Sequence, residues 1–256
     1  MKKLTTALAI AACLGAGNAS ADTLLGVYAG VQSWNMDAEG DFGSVINGVA
    51  STATFDFEEQ RQTSFYAALE HPVPLLPNIK IVRNQLETNG GGTVTGTFEF
   101  GGIDFTTTAG LQTEVDLTNT DYILYYEILD NDLVTVDVGI NAKHIDGSLY
   151  VVSNEDPPQS ANETFDGYVP MLYGNVEVGL PFTGLGLFAE GSFLSVGDHS
   201  LHDFQAGIAY TFIDNLAVDL TVQAGFRSVK LELDDIDDIS TNLDFSGAFV
   251  GLEVHF

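Results

Sequence analysis

Residues 242–256 read NLDFSGAFVGLEVHF, and this stretch decides the fold. Val250, Leu252, Val254 and Phe256 are apolar, whereas Gly251, Glu253 and His255 between them are small or polar. Successive side chains of a strand point to opposite faces, so alternation with period two marks a strand with one greasy and one hydrophilic face. Here it runs to the final residue, an aromatic. That suits the closing strand of a transmembrane β-barrel, in which lipid-facing and lumen-facing side chains alternate.

Working outward, the same pattern recurs. In 133–143, Val134, Val136, Val138, Ile140 and Ala142 oppose Thr135, Asp137, Gly139, Asn141 and Lys143. In 216–227, Leu216, Val218, Leu220, Val222, Ala224 and Phe226 oppose Asp219, Thr221, Gln223, Gly225 and Arg227. Segments 168–180, 185–195 and 204–212 alternate as plainly; 24–34, 63–70 and 121–129 also read as strands. Segment 79–86 carries Lys80 and Arg83 on opposite parities, so its facing stays open. Connections alternate between short (71–78, 130–132, 181–184, 213–215) and long (37–59, 88–113, 152–165, 232–241), with a modest one at 197–201. Short inner turns and longer outer loops predict an all-β chain: an antiparallel up-and-down transmembrane barrel of about ten strands, both termini periplasmic. Asn47-Gly48 and Gly101-Gly102 are turn signals inside long loops and predict hairpins reaching outside the membrane. The alternative is a soluble β-sandwich or lipocalin-like barrel with its apolar face inward.

The 256 residues accommodate one large domain. No apolar run reaches the roughly 20 residues of a membrane helix. Lys2 and Lys3, the apolar stretch 4–16 and the small-x-small site Ala19-Ser20-Ala21 predict a cleaved signal peptide over 1–21, with the barrel over 22–256. Ile10-Ala11-Ala12-Cys13 resembles a lipoprotein processing box, although apolar residues continue past Cys13 and a second cleavage site follows. Cys13 is the sole cysteine, so cleavage leaves no thiol for disulfides or metal ligation. Removing Lys2 and Lys3 takes the net charge from −28 to −30. So acidic a surface repels nucleic acid and anionic lipid head groups, which argues against nucleic acid as a partner and against a phosphate-binding role. It reads as solvated loops or as a binder of divalent or cationic solutes.

The segments His71-Pro72-Val73-Pro74-Leu75-Leu76-Pro77-Asn78-Ile79, Asp121-Tyr122-Ile123-Leu124-Tyr125-Tyr126-Glu127-Ile128-Leu129-Asp130-Asn131 and Val136-Asp137-Val138-Gly139-Ile140-Asn141-Ala142-Lys143 resemble an uncharacterised family of proteobacterial outer-membrane β-barrel proteins. The resemblance covers essentially all of 22–256 and implies location and architecture, with no activity to carry over. Gly251, Val254 and Phe256 resemble the terminal signal read by the barrel-assembly machinery; Phe249 stands where a polar residue is usual.

Expected lumen charges are Glu70, Arg83, Glu127, Asp137, Lys143, Glu177, Glu190, Asp219, Arg227 and Glu253. Unpaired buried charge is costly, so Arg83, Lys143 and Arg227 are expected to neutralise acidic neighbours and plug a narrow bore. The competing reading is a narrow cation-selective path. Asp198, His199, His202 and Asp203 are the one grouping that resembles catalysis, at an outer loop; some ten-stranded outer-membrane proteases use Asp and His at the outer rim. Asp234, Asp235, Asp237 and Asp238 could offer oxygen ligands to a divalent ion, without the glycine or terminal Glu of an EF-hand. Trp34, Tyr28, Tyr122, Tyr168 and Tyr210 suit interface belts or packing. The sequence thus predicts a non-enzymatic outer-membrane barrel without cofactor. Its role would be structural, at the surface, or a narrow passage for small solutes, with membrane lipid and lipopolysaccharide as neighbours. A surface hydrolase and a soluble periplasmic ligand-binding barrel are the alternatives.

Overall fold

The computed structural model describes residues 25–46, 49–93, 98–105, 110–131, 133–215, 217–236 and 239–256. The segment 1–21, Cys13 and the Asn47-Gly48 turn lie outside the described residues. Among the described residues fifteen strands are formed: β1 (Gly26–Ile46), β2 (Val49–Phe57), β3 (Gln60–Glu70), β4 (Asn78–Asn84), β5 (Glu87–Thr93), β6 (Phe98–Phe100), β7 (Ile103–Phe105), β8 (Gly110–Asp116), β9 (Asn119–Asp130), β10 (Val134–Ser153), β11 (Ser160–Leu180), β12 (Leu185–Val196), β13 (His199–Ile213), β14 (Asp219–Ile236) and β15 (Ile239–His255). Apart from β6 and β7 they make ten antiparallel staves, because β2 continues into β3, β4 into β5, and β8 into β9. The short breaks are stitched across by Glu58 N–H to the Asn89 carbonyl (2.8 Å) and Leu117 N–H to the Leu86 carbonyl (2.8 Å). The ring closes where β1 pairs with β15, Tyr28 opposite His255, and with β3, Gly26 opposite Glu70. Closure satisfies every edge, which suits hydrocarbon, where no water is available to a free N–H. The predicted ten-strand up-and-down cylinder is therefore the observed fold. Both ends of the described chain lie at the end that carries the short turns, where Val27 and Phe256 exchange backbone hydrogen bonds (3.2 and 2.9 Å).

Two zones stack along the cylinder. Toward the turn end, apolar side chains point outward: Ile140 is 59% exposed, Leu172 57%, Ile208 54% and Val250 60%. Their inward neighbours Asn141, Asn175 and Arg227 are buried. Toward the opposite, loop end, the sense reverses. Phe42, Phe55, Phe57, Val151, Leu243 and Phe245 point inward and are buried, while Thr54, Asp56, Glu114 and Asn242 point outward. One strand thus changes from greasy-outside to greasy-inside without changing register. The long loops expected at 37–59, 88–113, 152–165 and 232–241 are largely strand. At about 3.3 Å per residue, the 21 residues of β1 exceed what a tilted crossing of roughly 9–11 residues needs. The surplus extends the same cylinder past that length.

Tight interior packing fixes the turn-end zone. Gly30 lies under the Tyr66 ring, and a Cβ there would overlap it. Tyr66 in turn donates to Glu253 across the bore wall (2.6 Å). Gly30→Val is expected to expel the ring and cost about 1–3 kcal/mol. A lowered urea midpoint for lipid-reconstituted protein, with unchanged strand content by circular dichroism, is the expected reading.

Candidate functional site

The interior holds the chemistry, in three layers. At the turn end, Glu70, Glu127, Asp137, Glu177, Asp219 and Glu253 face the bore. Their partners are largely neutral: Tyr125 donates to Glu70 (2.8 Å), Asn78 to Glu127 (3.3 Å), and Asn175 to both Asp137 (2.9 Å) and Glu177 (3.2 Å). His255 lies 3.3 Å from Asp219 and stacks on Tyr28 (4.0 Å between centroids). This vestibule is the acidic surplus of the lumen.

The second layer is ionic and crosses the bore. Lys80 pairs with Glu190, which also accepts from Tyr173 (2.9 Å) and Gln205 (2.9 Å). Lys143, only 2% exposed, bridges Asp121 (2.9 Å) and Asp203 (3.1 Å). Arg227 takes Asp203 in a two-point fork, Nη2 at 2.7 Å and Nε at 2.9 Å, and donates to Ser64 (3.1 Å). Asn84 and Asn141 complete the shell of Asp121 (2.8 and 2.6 Å). The network joins β3, β4, β9, β10, β11, β12, β13 and β14. Fork geometry and full hydrogen bonding are what make buried charges tolerable.

The third layer is apolar. The Trp34 ring caps Arg227 (5.0 Å), and Phe249 contacts Phe188 (6.2 Å). Further toward the loop end, Phe42 stacks on Phe55 (4.6 Å) and meets Phe100 edge-on (5.3 Å), while Phe98 packs against Phe100 and Phe105. The last three belong to the hairpin β6–β7. It packs on β1 and β2, and its Gly101 turn lies against Ala161 and Glu163 of β11. In a ring of ten, β11 is diametrically opposite β1, so the hairpin spans the bore. Gly101 and Gly102 have φ of 56° and 73°, the left-handed backbone this tight reversal requires.

The predicted site residues are placed unevenly. Glu70, Glu127, Asp137, Lys143, Glu177, Glu190, Asp219, Arg227 and Glu253 do face inward. Arg83 does not: it is exposed on the outer wall, donating to Thr120 (3.0 Å). The parity of β4 explains this, because Asn78, Lys80 and Asn84 take the inner face and leave Ile79, Ile81 and Arg83 outside. Lys80 fills the interior role given to Arg83. Asp203 belongs to the ionic layer rather than to an outer loop. His199 and His202 sit in β13 on opposite faces; His199 accepts from the Asp234 N–H (3.2 Å), and His202 lies beside the outward Phe204. Asp198, in the preceding turn, is exposed. The four do not converge. Asp234 is exposed, while Asp237 and Asp238 lie outside the described residues, as does the Asp235 side chain. Among described residues no group of three or more His, Cys, Asp or Glu side chains is arranged to hold a metal ion. Trp34 and Tyr28 face inward; Tyr122, Tyr168 and Tyr210 are on the outer wall. The Gly101-Gly102 hairpin exists but folds into the bore instead of projecting outward.

Outside the cylinder, at the loop end, a groove of about 960 Å³ is lined by Glu39, Asp56, Gln112, Lys230 and Asp244. Beside it Lys230 and Glu232 pair at 2.6 Å. The hydrogen bonds from Lys230 and Ser200 hold the Glu232 carboxyl below the usual range, and Glu232 raises Lys230.

No protein-family model and no curated protein sequence matches the chain. Solved structures do. The outer membrane protease OmpT from Escherichia coli aligns at 9% identity over 95% of this chain and 99% of that one, with a TM-score of 0.52. The transport unit of the autotransporter AIDA-I from Escherichia coli aligns at 7% identity over 96% and 95%, with a TM-score of 0.40. Ail of Yersinia pestis aligns at 10% identity over 90% and 99%, with a TM-score of 0.34. The first of these shows a shared fold: the chain is a β-barrel of the outer-membrane type.

Proposed function

We propose that the protein is an integral outer-membrane barrel with a closed bore, non-enzymatic, whose role is structural or at the cell surface rather than solute passage. The observation that carries this is the pair of stacked obstructions. The ionic layer around Asp203 draws opposite walls together, and the β6–β7 hairpin fills the mouth with Phe98, Phe100 and Phe105. A cation path along the acidic vestibule would have to disrupt both. The greasy outer wall below the reversal, against an acidic wall above it, supports a membrane position with the loop end facing water. Reconstitution in planar bilayers tests closure: no discrete conductance steps are expected, and stable steps at neutral pH would overturn it. Carbonate or urea washing of membranes should leave the protein in the pellet; release would favour the soluble alternative. For the hydrolase alternative, His199 and His202 are separated by the sheet and Asp203 is engaged by two cations. Alanine at His199 and His202 is accordingly expected to change no cleavage of surface substrates.

A further inference from the structure

Six of the eight Lys and Arg residues lie among the described residues. Lys80, Lys143 and Arg227 are consumed by the lumen, and Lys230 by Glu232. Arg61 and Arg83 make no such pair, in a chain of net charge −28 with 36 carboxylates. Both point outward, on the neighbouring staves β3 and β4. Their height is defined by what precedes them. On the outer face of β4, Ile79 and Ile81 lead to Arg83; on β3, Leu69 and Phe65 lead through Thr63 to Arg61. Each arginine is therefore the first charge beyond the greasy belt on its stave. Hydrogen-bonded partners lead from Arg83 to Thr120, His144 and Tyr168 across the neighbouring staves, a row that climbs toward the loop end because barrel strands tilt. There the His144 and Tyr168 rings stack (4.5 Å), with Tyr122 beside them (6.5 Å from Tyr168). Outward aromatic rings at the upper edge of the greasy belt mark the boundary between hydrocarbon and head groups.

We infer that Arg61 and Arg83 form a binding site for the phosphate groups of the outer leaflet's phosphorylated glycolipid. The inference rests on the membrane reading above. A guanidinium matches phosphate with two parallel N–H···O bonds. Its aliphatic stem lies along apolar wall while the head reaches the interface. The belt supplies the surface for acyl chains, the rings supply the sugar-level contact, and the arginines supply countercharge not already paired, since Lys230, also on the outer wall, is held by Glu232. The site orients the barrel against one leaflet and ties it to anionic lipid that the carboxylate-rich loop end would repel.

The test uses the full chain refolded into phosphatidylcholine vesicles with and without rough lipopolysaccharide, then extracted in mild detergent and examined by native mass spectrometry. Wild-type protein is expected to retain glycolipid. Arg61→Ala/Arg83→Ala is expected to lose at least about fivefold of that retention, Arg61→Lys/Arg83→Lys to lose less, and dephosphorylated glycolipid to be held no better than by the alanine variant. Both variants should insert into pure phosphatidylcholine with wild-type heat-modifiability on gels, which separates lost binding from lost folding. Equal retention by wild-type and alanine proteins would overturn the inference while leaving the membrane reading intact. Failure of wild-type protein to insert into any vesicle would overturn both. Displacement of glycolipid by millimolar inorganic phosphate alone would mark a free-anion site and likewise overturn it.

Discussion

Asp203→Ala is expected to destabilise the barrel by about 3–5 kcal/mol, the range for removing one partner from a buried ion pair. The carboxylate is shared by Arg227 and Lys143, the first through a fork at 2.7 and 2.9 Å and the second at 3.1 Å. Removing it takes the shared carboxylate from two buried cations: Lys143 keeps Asp121, and Arg227 loses its ion pair. Neither can reach water without leaving the wall, since Lys143 is 2% and Arg227 7% exposed. A replacement that removes all the charge together, Asp121→Leu/Lys143→Met/Asp203→Leu/Arg227→Met, is expected to recover much of the loss, because well-packed apolar groups can substitute for buried ions. Urea unfolding in lipid vesicles reads both. A cost below about 1 kcal/mol for the single change would mean that the layer is hydrated like a surface pair.

Phe100→Ala is expected to cost about 3–5 kcal/mol by truncating a fully buried aromatic. Phe100 is 0% exposed, parallel to Phe98 and edge-on to Phe42. It anchors the hairpin to β1, so its loss also loosens the mouth. Conductance should nevertheless stay at zero, because the ionic layer closes the bore independently. Only Phe100→Ala combined with Arg227→Ser is expected to give current. A current from Phe100→Ala alone would show that the hairpin is the sole closure.

The staves of the turn-end zone were legible because one face meets an apolar environment and the other a polar one: Val136, Val138 and Ile140 against Asp137, Asn141 and Lys143 need no further context. The loop-end zone was hidden by the reversal. Ala53, Phe55 and Phe57 alternate with Thr52, Thr54 and Asp56 as cleanly as any segment, but with acidic residues and glycines close by they read as loop. Alternation reports that a strand has two unlike faces and not which face is inside; the signal for leaving the belt is the switch of parity between Val31 and Trp34, or between Val250 and Phe249. Phe249, out of place in a terminal strand, is explained by this switch, since it is the first inward residue of the apolar column on β15. Arg83 was misplaced because 79–86 has apolar residues on both parities, and only pairing with β3 and β9 fixes its facing. Asp121 is absent from the expected lumen charges, and Asp203 is assigned to an outer loop, for a related reason: each stands at the edge of a segment, where a strand residue and a loop residue look alike.

The claim beneath all of this is that Val250 and Leu252 face hydrocarbon while Phe249 and Gly251 face the interior. The chain from residue 22 onward contains no cysteine, so single cysteines placed at 249–252 and labelled with bimane report each position separately. In vesicles of brominated phosphatidylcholine, labels at 250 and 252 should be strongly quenched and those at 249 and 251 spared. Quenching without alternation, or strongest at 249 and 251, would contradict the account.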